Sequence, residues 1–142
     1  MSFVVDASVA AKWLVPENDS DKAEDLLKQW QRRSFDLSAP QLILAEVANV
    51  LWKRSARGLL ATNKAATLYS DFTRLELPLE PIGNLVVLAL ELALQHRTSV
   101  YDGLYLALAL DLGWGFVTAD EKLYRAFAAS FPQVSRLRNW KP

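Results

Sequence analysis

The sequence predicts an α/β fold, a three-layer α/β/α arrangement in which a short parallel sheet of four to five strands is flanked by about seven helices. Three observations point there. Short β-branched or aromatic runs alternate with longer stretches whose apolar residues recur at helical spacing. Pro16, Gly58 and Gly113 close helical stretches and Pro40 opens one. A chain of 142 residues, 51% of them hydrophobic and only five of them glycine, also holds enough apolar material for one substantial core.

Residues 3–6 form the first strand, and the helix after it, 7–15, is stopped by Pro16. In 19–33 a second helix places Ala23, Leu26, Leu27 and Trp30 on one face, with acids early and bases late as the helix dipole favours. A short strand at 35–38 leads to a long third helix that Pro40 opens and Gly58 closes. Thr62 caps a fourth helix striped by Leu68, Tyr69, Phe72 and Leu75. An extended segment follows at 77–82, and Asn84 caps a fifth helix. The apolar run 85–94 belongs to that helix; it is too short to span a bilayer and is interrupted by Glu91. A sixth helix at 99–112 ends at Gly113, a strand covers 115–118, a seventh helix 120–129, and a last strand 134–137. No repeat, low-complexity tract or linker divides the chain, so a single domain over 1–142 is expected.

Sixteen basic and sixteen acidic residues cancel, so any affinity for nucleic acid must come from local patches or metal ions. The absence of cysteine removes disulfide, thiolate-zinc and cysteine-nucleophile chemistry, and a single histidine rules out a histidine-rich metal site. The first six residues lack the basic start and apolar core of a secretory signal. A cytoplasmic protein with no membrane association is expected.

Four acids stand out. Asp6 follows the first strand and Asp120 a late one, and in an open parallel sheet the carboxyl ends of the strands are where ligands bind. Each is also well placed to cap the helix after it. Glu46 lies on a helix among Leu42, Ile43, Asn49 and Val50, three of them apolar, so its carboxylate is expected to be part-buried and to require a partner or a metal. Asp102 sits just inside a strongly apolar helix, where Ser99 and Asp102 also fit a capping box. Capping accounts for single positions, but not for four acids that all fall at strand ends or on apolar helix faces. Four carboxylates without histidine or cysteine form an all-oxygen site suited to Mg²⁺ or Mn²⁺. Such an ion lowers the pKa of bound water and neutralises charge on a phosphoryl group, so no side-chain nucleophile is needed.

Taken in order, Asp6-Ala7-Ser8, Ala45-Glu46-Val47-Ala48-Asn49, Tyr101-Asp102-Gly103-Leu104 and Val117-Thr118-Ala119-Asp120 resemble the PIN-domain family, and within it the bacterial and archaeal VapC toxins. The resemblance spans essentially the whole chain. It implies helices around a short parallel sheet, and endonucleolytic cleavage of RNA by metal-activated water. It also implies a cognate VapB-type antitoxin and a homodimer. Carried over by position, Asp6, Glu46, Asp102 and Asp120 would be catalytic, metal-binding acids. Ser8 and Thr118 would be supporting hydroxyls, and Asn49, one turn beyond Glu46, a further support. Lys53, Arg54 and Arg57 extend the Glu46 helix and, with Lys122, are candidate contacts to RNA phosphates. Tryptophans are read as core, with Trp140 in the polar tail as a possible stacking residue. His96, at a helix end, stays outside the site.

Other readings make different demands. A haloacid-dehalogenase-type phosphatase needs a second aspartate two positions after Asp6, where Ser8 stands. A receiver-like regulatory domain needs paired acids at the end of its first strand and a phosphorylatable aspartate after a middle strand, and neither is present. A non-catalytic domain of the same fold would have no need of all four acids. An RNA-processing or DNA nuclease of this fold is the alternative to a toxin.

Overall fold

A computed structural model describes residues 1–141. Among these the chain forms seven α-helices and one five-stranded parallel sheet, as the alternation of periods requires. In chain order the elements are β1 (Phe3–Val5), α1 (Ala7–Leu14), α2 (Ser20–Gln31), β2 (Leu37–Pro40), α3 (Ile43–Ala56), α4 (Thr62–Arg74) and β3 (Leu79–Glu80). After them come α5 (Val86–His96), α6 (Val100–Leu112), β4 (Gly115–Thr118), α7 (Glu121–Phe127) and β5 (Val134–Arg136). A 3₁₀ turn, Leu137–Asn139, stands where the sequence suggested more strand.

The strand order is β3-β2-β1-β4-β5, and β1 lies at the centre between β2 (Phe3↔Leu37, Val4↔Ser38) and β4 (Phe3↔Gly115, Val5↔Val117). Parallel crossovers are right-handed, so moving outward from β1 through β2 to β3 and then back past β1 to β4 puts helices on both faces of the sheet. The order reverses between β1 and β4, and it is at such a switch point that the loops leaving two adjacent strands part and leave a crevice. Every residue of β1, β2 and β4 is buried, Ser38 and Thr118 included, as in a parallel sheet covered on both faces. Around them pack Val9, Leu26, Ile43, Leu104, Tyr105, Leu106, Leu108 and Phe127.

The core requires one close approach. A Cβ at Gly103 would stand 2.5 Å from the carbonyl oxygen of Ala89, so the absence of a side chain there lets α5 lie against α6. Gly113 closes α6, as expected, and does so in the left-handed conformation at φ +68°.

Several boundaries differ from expectation. Strand β2 is displaced toward the C-terminus relative to 35–38, because Pro40 ends a strand instead of opening a helix; it needs no N–H there and its neighbour Gln41 donates to Glu80 at 2.9 Å. Helix α3 therefore begins only at Ile43. Ala61, not Thr62, is the N-cap of α4, with extended backbone and no side-chain bond. Asn84 does not cap α5; Leu85 does, after a turn in which its N–H donates to Ile82 at 2.8 Å. Trp140 packs edge-on to Phe3 and Phe35 and is 4% exposed, so it belongs to the core, whereas Trp52 is 64% exposed. Among the described residues no helix is long and apolar enough to cross a membrane.

Candidate active site

Two of the four acids leave the sheet at its switch point. Asp6 follows β1 and Asp120 follows β4, and each caps the next helix: Asp6 Oδ1 accepts from Val9 N–H at 3.2 Å, and Asp120 Oδ1 from Leu123 N–H at 3.1 Å. Capping and site position are thus one arrangement, because a helix that starts at the carboxyl end of a strand brings its cap to the crevice.

The two strand ends are tied by hydroxyls. Ser8 Oγ donates to Asp6 Oδ1 at 2.5 Å and accepts the Ala119 N–H at 2.9 Å. Thr118 Oγ1 donates to Asp6 Oδ2 and accepts the Asp120 N–H at 3.0 Å. Each hydroxyl faces a carboxylate with its proton and a backbone amide with its lone pair, so both are satisfied only when β1 and β4 are paired. Asp6 and Thr118 are among the few buried polar residues.

The other two acids come from helices, and each is held by a hydroxyl. Glu46, half-buried in the first turn of α3, accepts from the Tyr105 hydroxyl of α6 at 2.7 Å. Tyr105 is almost wholly buried and stacks at 8° to Phe116 of β4. Asp102 accepts from Thr98 Oγ1 at 2.8 Å, while its own N–H donates to Ser99 Oγ at 3.0 Å. Ser99 is the cap of α6, but the Asp102 carboxylate takes the Thr98 hydroxyl, so only the Ser99 arm of the capping box is seen.

All four carboxylates line one cavity of about 270 Å³, together with Ala7, Ser8, Asn49, Val50, Lys53 and Tyr105. Asn49 therefore reaches the site, but the partner of Glu46 is Tyr105. Among the described residues no three acids are already drawn close enough to form a ready-made ion cage. The four carboxylates instead lie along a common wall of the cavity.

The electrostatics agree. Burial pushes Asp6 up to about 6, against the hydrogen bonds from Ser8, Thr118 and Val9, with a further upward push from Asp120. Glu46 is raised by burial, held back by the Tyr105 hydroxyl, raised again by Asp102 and Asp120, and lowered by Lys53. Asp102 is raised by burial, held back by Thr98, raised by Asp120 and lowered by Ser99 and Lys122. Burial and Glu46 raise Tyr105 far above the usual range, so it stays a neutral donor. A hard divalent cation held among these carboxylates would offset both the repulsion and the burial penalty.

The basic residues divide. Lys53 lines the cavity, and Lys122 is near enough to Asp102 to lower its pKa. Arg54 is paired instead with Glu17, which also holds Lys12 at 3.0 Å, a link between α3 and the α1–α2 turn. Arg57 is exposed at the C-cap of α3. His96 packs against Phe127 and Phe131, away from the acids.

Tyr105 and Thr98 were not singled out by sequence. Both stand within one helical turn of Asp102, on its C-terminal and N-terminal sides, so a search for hydroxyls at that spacing finds them.

Comparison with known proteins places these residues in a family context. The family model described as the PIN domain matches residues 3–128. The chain is 39% identical over 132 residues to Ribonuclease VapC3 of Pyrobaculum aerophilum, covering 91% of this chain and 97% of that protein. Among solved structures, PAE2754 from the same organism superposes with a TM-score of 0.69 at 18% identity, over 97% of this chain and 92% of the other. VapC20 of Mycobacterium tuberculosis, a Sarcin-Ricin loop cleaving toxin, superposes with a TM-score of 0.67 at 18% identity, over 92% and 96% respectively.

Proposed function

The chain belongs to the PIN-domain family, and from that membership we propose that it is a divalent-metal-dependent endoribonuclease acting as a single domain, the toxin of a toxin–antitoxin pair. The observation that carries this reading is the convergence of four carboxylates, from four separate elements, on one cavity without a histidine or cysteine among its walls. The likeness to Ribonuclease VapC3 across nearly the full length of both chains supports RNA as the substrate.

The donor set fits Mg²⁺ or Mn²⁺, because carboxylate oxygen is what hard cations select. Asp6, Glu46, Asp102 and Asp120 would hold the ion. When bound, it supplies a nucleophilic water at neutral pH and neutralises charge on the phosphoryl oxygens and leaving group. The chain's own residues do the rest. Ser8 and Thr118 fix both oxygens of Asp6, Tyr105 fixes Glu46, and Thr98 fixes Asp102, so the acids are held by outer partners before substrate arrives. Lys53 and Lys122 offset the acids' negative field at the rim, where an RNA phosphate must approach. A VapB-type antitoxin and a second copy of the chain are the partners this role brings with it.

The test is cleavage of single-stranded or looped RNA by the purified protein. Cleavage is expected with Mg²⁺ or Mn²⁺ and none in excess EDTA, and Glu46→Gln is expected to lose activity with an unchanged fold. Undiminished cleavage in EDTA rules out the mechanism, and equal cleavage of DNA points to a general nuclease.

A further inference from the structure

Beside the acid-lined cavity lies an open groove of about 450 Å³, walled by Leu42, Ala45, Glu46, Asn49 and Tyr101. Glu46 and Asn49 line both spaces, so the groove and the cavity share one wall on α3. Whatever occupies the groove is therefore adjacent to whatever occupies the cavity.

Tyr101 is the residue before Asp102 in the first turn of α6, yet it is 59% exposed while Tyr105, one turn on, is buried. Its ring contributes nothing to the core. Leu42 and Ala45 supply the apolar part of the groove's lining. Glu46 takes its hydrogen bond from Tyr105, which leaves the exposed Asn49 amide to the groove. An accessible aromatic ring, an apolar wall and one neutral amide that both donates and accepts make up the set that recognises a nucleobase: a surface to stack on and a group to read an edge. A phosphate would need cations, and the only charged wall here is the carboxylate of Glu46.

We propose that this groove is a base subsite, in which Tyr101 stacks on, and Asn49 hydrogen-bonds to, the nucleobase next to the phosphate held at the acids. The proposal rests on the ribonuclease reading and adds to it a source of sequence preference. Backbone contacts at the acids carry no sequence information, whereas a base edge against Asn49 does.

The probe is a fluorescently labelled single-stranded ribo-oligonucleotide, with an abasic strand of the same length as its partner, and anisotropy read with Ca²⁺ in place of Mg²⁺. Tyr101→Ala is expected to weaken binding of the base-bearing strand about tenfold, which is about 1.4 kcal/mol and within the range for one stacked base. Tyr101→Phe should stay within about twofold of wild type on the same strand, because the ring is kept. On the abasic strand wild type and Tyr101→Ala should coincide, and Asn49→Asp should shift the base preference of the cleavage products. Equal binding of the base-bearing strand by wild type and Tyr101→Ala overturns the subsite alone, since RNA cleavage by the wild type then still supports the nuclease. An equal loss by Tyr101→Ala on both strands also overturns it, because the ring would then act on something other than a base. A wild type that neither binds nor cleaves any RNA overturns both readings. Melting temperatures of the variants, expected to match wild type at these exposed positions, exclude a folding defect.

Discussion

The Tyr105 hydroxyl donates to Glu46 Oε1 at 2.7 Å and so joins two helices whose contributing residues are 59 apart in sequence. Tyr105→Phe keeps the ring on Phe116 but removes this bond. Losing an outer partner of a metal-binding group commonly costs about 10–100-fold in metal affinity or activity. Tyr105→Phe is therefore expected to raise the Mg²⁺ concentration for half-maximal cleavage about tenfold or more. Calorimetric Mg²⁺ titration checks it, and a dissociation constant matching wild type would remove Tyr105 from a positioning role.

Asp6→Asn separates the acid's charge from its capping bond, because asparagine caps a helix about as well as aspartate. The charged form of Asp6 is disfavoured first by burial and, to a lesser extent, by repulsion from Asp120, and the variant sheds both. The asparagine NH₂ cannot accept one of the two hydroxyl protons that Asp6 accepts, so the decisive quantity is the metal-induced shift: millimolar Mg²⁺ should raise the melting temperature of wild type more than that of the variant, since wild type has the better site. Thermal melts in EDTA and in Mg²⁺ test this, and parallel behaviour in both would leave Asp6 a cap only.

Burial holds Asp6 at about 6 in the folded protein against an ordinary value of 3.8. The folded state therefore keeps a proton that the unfolded chain releases, and metal-free stability falls as pH rises from about 4 through about 6. The separation corresponds to at most about 3 kcal/mol for this one group. In EDTA the protein should be more stable at pH 5 than at pH 7.5. Urea titrations at the two values decide it, and greater stability at the higher pH would contradict a burial cost that outweighs the hydrogen bonds to Asp6.

A methyl at Gly103 meets the Ala89 carbonyl oxygen of α5 at 2.5 Å. Gly103→Ala gains about 1 kcal/mol of helix propensity but overpacks a backbone contact at a cost of about 1–3 kcal/mol or more. A lower melting temperature is expected, together with weaker Mg²⁺ binding because Asp102 is the adjacent residue. A variant as stable as wild type would mean that α5 and α6 separate easily.

The alternation of strands and helices and the positions of all four acids were legible because each rests on a few neighbouring residues. Val4-Val5-Asp6 and Val117-Thr118-Ala119-Asp120 each spell a buried strand and its end. Pairings between distant segments were not legible. Nothing near Glu46 specifies that its partner is Tyr105 and not Asn49, and nothing near Arg54 reveals that Glu17, 37 residues earlier, holds it. Pro40 misled for a local reason: the same fixed φ that opens a helix also suits the last residue of a strand, and only the neighbour β3 decides between them. The start of α5 was misplaced because Leu85 caps it through backbone alone, which leaves no trace in side-chain chemistry.

The central place of β1 has a consequence for how the protein comes into being. During synthesis β1 emerges well before Thr118, which clasps Asp6 and follows 112 residues after it. Until then β1 has a neighbour on one side only, and Asp6 lacks both Thr118 and the amide that anchors Ser8. A growing or prematurely ended chain thus carries separate acids and no assembled centre, and the closing of so long a loop is a slow step in folding. The four acids therefore meet only after the chain has been made as far as β4 and the start of α7.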